Sequence, residues 1–421
     1  MNHNEQTRSY DNTFLEPVFV ARQPVFDVNM DIWGYELLFR HSAKSGTADF
    51  EDGDVATAQV IADGFGMAEE WLVPGQKLLI NYPSSMLLQG TARTLPANIA
   101  VVEILETVRP DQDILDMCLE LKNEGYILAL DDFVGDPGFE PLLEQADIVK
   151  VDVLNIAPGS LEGVLERLEK YSCTLLAEKV ENLESFEQCK EMGFELFQGY
   201  FFSKPKIVQG RRLSANQLSK LELIDILGSD NLDLAGIARI IEGDVSLSYR
   251  LLRYINSVST ELPYKINSIS HAVNMLGQRR VSTWLQVIIL AEMNTTARAS
   301  ELLFLSLQRA KFLELIALQN RTSPMSPDSM FILGLFSMLD ALLSQPMKDI
   351  LEKISLEPSL TQALTGENKE LRIRLDLAVS CEKGEWKDTE DALKKIGISP
   401  GQAAMVLNKA TAWAGHFLSM T

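Results

Sequence analysis

The sequence predicts an α/β domain followed by an all-helical domain. From about Pro17 to Pro205, β-favouring runs such as LLINY, AVVEIL and YILALDDF alternate with helical stretches such as DILDMCLELKNEG. Strands that alternate with helices in this way are typical of a parallel sheet. After Pro205 the strand pattern ends, and segments such as VSLSYRLLRYINS carry apolar residues at helical spacing. The chain therefore divides near residue 206.

Composition and charge restrict the class of protein. At 421 residues, with 46% hydrophobic and 23% charged content, the chain can bury a large core in two or three domains. The net charge of -21 argues against DNA as a partner, because a phosphate backbone is held mainly by Lys and Arg. Four cysteines without metal-ligand spacing suit the reducing cytoplasm.

No membrane association or secretion is expected. The amino terminus lacks the apolar core of a signal peptide. The longest apolar stretch, Met330 to Leu343, is too short to span a bilayer and carries Asp340. The sequence therefore predicts a cytoplasmic protein, with residues 1–15 as a flexible polar tail.

Polar residues recur near the ends of the apolar runs in the first half. If parallel strands close into a barrel, these residues meet at the carboxyl-terminal rim, where such barrels keep their chemistry. The residues are Glu36, Asn81, Glu103, Asp131, Asp132, Lys150, Glu178 and Gln198.

These side chains favour one kind of chemistry. Carboxylate and amide oxygens are hard ligands, which favour Mg²⁺ or Mn²⁺ over Zn²⁺. Clustered carboxylates repel one another without a cation, so their convergence itself predicts a metal. Lys150 could orient an attacking water or offset phosphate charge, which suits metal-assisted hydrolysis of a phosphodiester. Each carboxylate alone is more often a surface residue or a helix cap, so the ordered set carries the prediction.

Motifs in residues 16–206 resemble the EAL domain family of cyclic di-GMP phosphodiesterases. The resemblance implies a modified TIM barrel, hydrolysis of cyclic di-GMP to linear pGpG, and Mg²⁺ or Mn²⁺ as cofactor. The motifs, in chain order, are Gln23-Pro24, Glu36-Leu37-Leu38 with Arg40, Asn81, Glu103-Ile104-Leu105-Glu106, Asp131-Asp132-Phe133, Lys150-Val151-Asp152, Glu178-Lys179-Val180-Glu181 and Gln198-Gly199-Tyr200.

The same resemblance implies a role for each site residue. Catalytic roles fall on Lys150, beside the hydrolytic water, and on Glu178 and Glu36. Gln23 and Arg40 are implied to bind substrate, and Glu106 is implied to fasten the loop after Asp132. The implied ligands of the metal or of its water are Glu36, Asn81, Glu103, Asp131, Asp132, Glu178 and Gln198.

Two departures from the family pattern bear on activity. Val134 stands where the family has a glycine, and a β-branched residue avoids positive φ, so the loop backbone is expected to take another path. Lys179 also replaces a glycine, which places an extra cation beside the site. Loose support of a site can abolish turnover while leaving binding intact.

Motifs in residues 207–421 resemble the HDOD domain, a regulatory and protein-interaction module. HDOD domains are related to HD phosphohydrolases but lack their metal site, and here Ser337 and Met338 replace the ligand pair. The resemblance implies an all-α, HD-related fold. The motifs are Asp244-Val245-Ser246-Leu247-Ser248, Asn256-Ser257, Ile266-Asn267-Ser268-Ile269 and Ala272-Val273-Asn274-Met275-Leu276-Gly277.

Two hypotheses for function stay open on the sequence. The first is a bacterial signalling enzyme that hydrolyses cyclic di-GMP and is steered by its helical domain. The second is an inactive cyclic di-GMP receptor or scaffold, whose HDOD domain transmits the state to a signalling protein partner. The complete ligand set favours the first, and the altered loop with Lys179 favours the second. A homodimer through the EAL domain is a further open alternative.

Overall fold

A computed structural model describes the residues on which the following sections rest. They are 18–41, 72–135, 137–156, 161–203, 215–228, 234–242, 245–258, 268–292, 296–319, 323–354 and 356–420. The polar tail predicted for residues 1–15 lies outside them. Within these ranges, none of the helices has the length and hydropathy that a membrane crossing requires.

Eight strands close into a barrel in chain order. Strands β2 to β8 pair with their neighbours in parallel, whereas β1 lies antiparallel between β2 and β8. The barrel and its modified TIM topology confirm the predicted fold class. The strands are β1 (Val18–Asp27), β2 (Ile32–His41), β3 (Lys77–Tyr82), β4 (Ala100–Ile104), β5 (Ile127–Leu130), β6 (Ile148–Asp152), β7 (Thr174–Glu178) and β8 (Leu196–Gln198).

Strand β1 departs from the parallel arrangement of the other strands. A tight turn joins β1 to β2, and a short connection can link only antiparallel strands, because a parallel pair needs a long crossover. Asp27 holds this turn, since its Oδ1 accepts hydrogen bonds from the backbone N–H groups of Asn29 (2.8 Å) and Asp31 (2.9 Å).

Helices cover the outside of the barrel. Asp111 caps α2 by accepting from the backbone N–H of Ile114, and Asn182 caps α5 by accepting from that of Ser185. The helices are α1 (Ser84–Leu88), α2 (Gln112–Asn123), α3 (Glu140–Leu143), α4 (Leu161–Leu168) and α5 (Leu183–Glu191), with 3₁₀ turns at Thr91–Thr94 and Tyr200–Phe202.

An apolar layer fills the barrel interior and sets the height of the polar rim. It contains Val25, Leu79, Val101, Ala129, Ile148, Leu176 and Leu196. Side chains alternate along a strand, so the next inward position on a parallel strand lies two residues later. Those positions are Asn81, Glu103, Asp131, Lys150, Glu178 and Gln198.

Strands β1 and β2 also place a polar side chain at the height of this rim, but by a different spacing. Because β1 runs in the opposite direction, its matching position lies two residues before Val25, at Gln23. On β2, Glu36 lies two residues after Gly34. A Cβ at Gly34 would lie 2.6 Å from the carbonyl oxygen of Lys77, so only glycine lets β3 approach here.

The described residues after Ala215 form helices and contain no strand, as predicted. The helices are α6 (Ala215–Gly228), α7 (Leu234–Glu242), α8 (Val245–Val258), α9 (Ile269–Leu276), α10 (Gln278–Ala291), α11 (Ala297–Gln319), α12 (Pro327–Phe336), α13 (Leu339–Leu343), α14 (Met347–Leu351), α15 (Pro358–Leu364), α16 (Lys369–Lys383), α17 (Trp386–Ile396) and α18 (Pro400–Met420).

Helix α11 is the centre of the helical domain and packs against α12 and α18. Gly334 allows the close approach of α12, since a Cβ there would lie 2.4 Å from the backbone nitrogen of Ala310. The domain also packs on the barrel, where Phe19 of β1 meets Trp386 of α17 with ring centroids 5.6 Å apart.

Replacing Gly334 with alanine should destabilise the helical domain. The added methyl group meets backbone, which cannot move aside as a side chain can, so we expect a loss of about 1–3 kcal/mol in the free energy of unfolding. Chemical denaturation measures it. Gly163→Ala on α4 is the matched control, because its Cβ has open space and alanine favours the helix. Equal loss in both variants would contradict the packing argument.

Candidate metal centre at the barrel rim

The ammonium group of Lys150 lies at the centre of four carboxylates. Its Nζ is 2.8 Å from Asp131 Oδ1, 2.8 Å from Glu178 Oε1 and 3.2 Å from Glu36 Oε2, and it also contacts Glu103. The side chain of Lys150 is 2% exposed and that of Glu103 is fully buried. Residues from five different strands or strand ends thus share one buried site.

Two amides orient the Glu36 carboxylate. Asn81 Nδ2 donates a hydrogen bond to Glu36 Oε1 (2.9 Å), and Gln198 Nε2 donates to Glu36 Oε2 (2.6 Å). Together with Lys150, these donors hold both oxygens of Glu36. Charge-assisted hydrogen bonds of this kind are stronger than neutral ones, so Glu36 is held in one orientation.

Burial and crowding change the protonation of the cluster. Burial raises the pKa of Glu103 well above its ordinary value, and the nearby carboxylates of Glu36 and Asp131 add to the rise. Burial likewise raises the pKa of Glu178 to about 8, which Lys150 offsets only in part. Burial lowers the pKa of Lys150, but the four carboxylates outweigh it and hold that pKa well above its usual range. Without a metal, burial and crowding therefore favour the protonated forms of Glu103 and Glu178.

Four buried oxygens in the cluster have no hydrogen-bond partner among the described residues. They are Asn81 Oδ1, Glu103 Oε2, Glu178 Oε2 and Gln198 Oε1. An unsatisfied buried polar atom costs about 1–3 kcal/mol, so several at one site call for a ligand. All four are hard oxygen donors, the ligands that Mg²⁺, Mn²⁺ and Ca²⁺ accept. The residues present therefore fit a divalent cation.

A second acidic group adjoins the first. Carboxylate oxygens of Glu106, Asp131 and Asp132 lie within 4.8 Å of one another. The backbone fixes this segment, since the N–H of Asp131 donates to Ile104 O (2.9 Å) and that of Phe133 donates to Lys150 O (3.0 Å). Asp132, between them, has a φ of +43°. Asp131 thus belongs to both groups, and the Glu106 carboxylate lies beside Asp132, where the loop that it was predicted to fasten begins.

The loop after Asp132 follows a path that suits its altered sequence. The positive φ values fall on Asp132, Gly135 (+89°) and Gly138 (+96°), and not on Val134, which is half exposed. The Gly135 carbonyl accepts a hydrogen bond from Arg167 on α4. This agrees with the expectation that a β-branched residue moves the positive φ elsewhere. Asp136, the next residue, lies outside the described part of the chain.

Lys179 is held away from the Lys150 cluster by Asp152, an acid of the sequence motifs to which no role was assigned. Its Nζ contacts Asp152 and lies 3.7 Å from Asp132 Oδ1. Asp152 ends β6 and also accepts from Asn155 Nδ2 (2.7 Å), and although burial opposes it, these hydrogen bonds lower the pKa of Asp152. The spacing of Asp152 and Asn155, typical of an Asx-turn, was the signal in the sequence. Lys179 has a φ of +56°, in the left-handed region that favours glycine.

The structure places the other predicted residues as follows. Gln23 is partly buried and pairs with Glu36 across the β1–β2 ladder. Arg40 lies on β2, four residues after Glu36, and its side chain is outside the described part of the structure. The residues brought into the Lys150 cluster are Glu36, Asn81, Glu103, Asp131, Glu178 and Gln198, with Asp132 and Glu106 beside it.

In the helical domain, an ion pair takes the place of the metal site that the sequence lacks. Arg309 donates two hydrogen bonds of 2.7 Å to the Glu382 carboxylate and one of 3.2 Å to Ser337 Oγ. Ser337 is one of the two residues predicted to replace the ligand pair. Both oxygens of the Glu382 carboxylate are thus held by Arg309 beside Ser337.

Comparison with known proteins agrees with both resemblances. The EAL domain model matches residues 84–205, and the HDOD domain model matches residues 219–368. The cyclic di-GMP phosphodiesterase CdgJ of Vibrio cholerae is 34% identical over 399 residues, which cover 94% of this chain and 92% of that protein. The chain belongs to the EAL-HDOD family. Both predicted resemblances are thereby confirmed.

Two further proteins are similar to this EAL-HDOD chain. The YuxH protein of Bacillus subtilis, described as uncharacterized, is 34% identical over 377 residues, covering 88% of this chain and 91% of that protein. The YkuI protein of Bacillus subtilis, with an EAL domain and solved in complex with c-di-GMP and calcium, is 17% identical with a TM-score of 0.38. That match covers 62% of this chain and 72% of YkuI.

Glu178 should make the stability of the metal-free protein depend on pH. Its folded pKa of about 8 exceeds the unfolded value near 4.3, so the folded state binds more protons and stability falls as pH rises between them. In EDTA, the free energy of unfolding of the wild type should fall more steeply from pH 6 to 8 than that of Glu178→Gln, by on the order of 1 kcal/mol per pH unit. Urea denaturation at each pH measures both. Parallel curves would contradict the raised pKa.

Proposed function

We propose that the barrel hydrolyses cyclic di-GMP to linear pGpG with Mg²⁺ or Mn²⁺, and that the helical domain regulates it and binds a signalling protein partner. The observation that carries the proposal is the group of four unsatisfied buried oxygens around Lys150. The name of the Vibrio cholerae relative, a cyclic di-GMP phosphodiesterase, supports the same substrate. We assign residues 16–206 to the barrel domain and 207–421 to the HDOD domain, with dimerisation through the barrel as a further proposal.

The metal would be held by oxygens of the rim. The proposed ligands are Glu36, Asn81, Glu103, Asp131, Asp132, Glu178 and Gln198. Four of them, Asn81, Glu103, Glu178 and Gln198, offer the buried oxygens that have no hydrogen-bond partner among the described residues. When bound, a divalent cation supplies Lewis acidity toward the phosphate and lowers the pKa of the attacking water. Its charge also offsets the acids that one lysine cannot neutralise.

Side chains of the rim would orient the attacking water, accept its proton and balance the charge of the phosphate. Lys150 is a fixed ammonium whose N–H groups orient the attacking water and balance the phosphate charge. Glu178 and Glu36 contact Lys150 and are the proposed acceptors of the proton that the water loses. The water oxygen bonds to phosphorus, one phosphorus–oxygen ester bond breaks, and the leaving 3′ oxygen takes up a proton, which opens the ring to pGpG.

Gln23 and Arg40 are the proposed substrate contacts. Gln23 lies at the level of the polar rim and beside Glu36 in the ladder. Arginine matches a phosphate edge through two parallel hydrogen bonds, which suits Arg40 to one of the two phosphates of the ring.

We favour hydrolysis over the receptor hypothesis. That hypothesis rested on the altered loop and on Lys179 as an extra cation. Lys179 contacts Asp152 and approaches Asp132, so its charge is largely taken up outside the Lys150 cluster. The ligand set stays available to a metal.

Incubation of the purified full chain with cyclic di-GMP and Mn²⁺ tests the proposal. We expect pGpG in chromatography of the products, and none when EDTA is present. Binding of the dinucleotide without product would favour the receptor, and absence of both would reject a role in cyclic di-GMP chemistry. Lys150→Met, which removes the ammonium but keeps a long side chain, should reduce turnover by at least about a hundredfold.

Loss of one rim carboxylate should remove the metal. We expect Glu36→Ala and Asp131→Ala to weaken Mn²⁺ binding by more than about a hundredfold, because even outer residues of metal sites contribute tenfold to a hundredfold. Titration calorimetry measures the affinity. Asp116→Ala, which removes an exposed carboxylate on α2, is the control and should bind like the wild type. Unchanged affinity in both rim variants would sink the placement of the metal.

A further inference from the structure

A buried cluster joins the barrel to helix α11 of the HDOD domain. Arg22 Nη2 lies 2.9 Å from Glu301 Oε2 and 3.2 Å from Oε1, and Tyr35 Oη donates to Glu301 Oε2 at 3.1 Å. The guanidinium of Arg22 lies between two rings, 4.4 Å from the centroid of Tyr35 and 3.4 Å from that of Phe304. We call these four residues the interdomain cluster. Its charged side chains are 6% and 2% exposed, so the pair is almost fully desolvated.

The interdomain cluster lies directly behind two residues of the candidate site. Tyr35 precedes Glu36 on β2, Arg22 precedes Gln23 on β1, and the ladder pairs Gln23 with Glu36. Because side chains alternate along a strand, Tyr35 faces the helical domain while Glu36 faces the barrel interior. A shift of α11 that moves Glu301 therefore pulls on the backbone that carries Glu36.

A second contact region holds the partner of Glu36. Gln198 donates to Glu36, and the turn that follows it lies against the helical domain. There, Lys383 Nζ is 4.5 Å from the ring centroid of Tyr200, and Arg298 Nε donates to Phe202 O at 2.7 Å. Gly199 leaves little slack, since a Cβ there would lie 2.2 Å from the carbonyl oxygen of Val180. Glu36 and Gln198 thus both lie next to chain segments that contact the HDOD domain.

Helix α11 extends the connection into the centre of the HDOD domain. Glu301 and Arg309 are both on α11, and Arg309 binds Glu382 and Ser337 at the position of the missing metal site. A single helix thus carries one buried ion pair in the HDOD core and another at the barrel. Directional bonds to buried charges resist sliding more than apolar contacts do, so a displacement at one end of α11 would be carried to the other end.

We propose that Tyr35, Arg22 and Glu301 are positioning residues for Glu36, through which the HDOD domain sets the metal affinity of the barrel. The proposal rests on the proposed metal site. A change in the helical domain would appear as a change in the orientation of one metal ligand. By linkage, metal binding would in turn stabilise the docked position of α11.

Mn²⁺ affinity in matched tyrosine variants tests the proposal. Tyr35→Phe removes only the hydroxyl that binds Glu301, and we expect the affinity by calorimetry to fall about tenfold, as for other residues that orient metal ligands. Glu301→Gln should act in the same direction. Tyr82→Phe is the control, because Tyr82 is equally buried and follows the rim residue Asn81, yet its hydroxyl has no hydrogen-bond partner among the described residues. Its affinity should equal that of the wild type.

Hydrogen exchange supplies a readout apart from affinity. Mn²⁺ should slow amide exchange in α11 of the wild type and have little effect there in Tyr35→Phe. Wild-type affinity and wild-type exchange in Tyr35→Phe would overturn the coupling while leaving the metal site intact. Failure of the wild type to bind Mn²⁺ would overturn the metal site and the coupling with it. If Glu301→Gln does not fold, the conservative Tyr35→Phe still decides between these outcomes.

Discussion

The contact between the Lys150 ammonium and four carboxylates is the interaction on which the rest of the site depends. One positive charge, buried in the barrel, cannot balance Glu36, Glu103, Asp131 and Glu178 when all are ionised. The raised pKa values of Glu103 and Glu178 favour protonation, which reduces the deficit in the metal-free state, and a divalent cation would meet it in the bound state. The same excess of negative charge would favour the binding of a divalent cation by these carboxylates.

The barrel can afford this cluster because of the layer beneath it. The apolar layer that includes Val25, Leu79 and Leu176 excludes water from below the polar side chains. Because the strands close into a barrel, these side chains cannot move apart toward solvent. The helical domain closes the structure from the side of β1 and β2, where Arg22 and Glu301 form a second buried ion pair. Buried ion pairs contribute little net stability compared with apolar residues, but their directional bonds restrict geometry, which suits an interface beside the proposed metal ligand Glu36.

The departures from the family pattern turn out to be local. Lys179 adopts a left-handed backbone, which costs a non-glycine residue about 1–2 kcal/mol, and its ammonium group contacts Asp152. Val134 keeps ordinary backbone geometry because Asp132 and Gly135 take the positive φ values. Neither change displaces a member of the Lys150 cluster. On the sequence alone, these two residues were the main argument for an inactive receptor. The side-chain contacts weaken that argument.

By itself, the sequence determined the two-domain order, the alternation of strands and helices, and the identity of the polar rim. It could do so because a period of two and a polar residue after each apolar run are local properties, readable at Asn81, Glu103 or Glu178 without knowing the fold. Only the tertiary structure decided that β1 runs antiparallel, that Asp152 restrains Lys179, and that Glu301 reaches Arg22 and Tyr35. Each of these contacts joins residues that are far apart in the chain. Barrel closure and domain packing bring such residues together, and no sequence pattern within either segment indicates it.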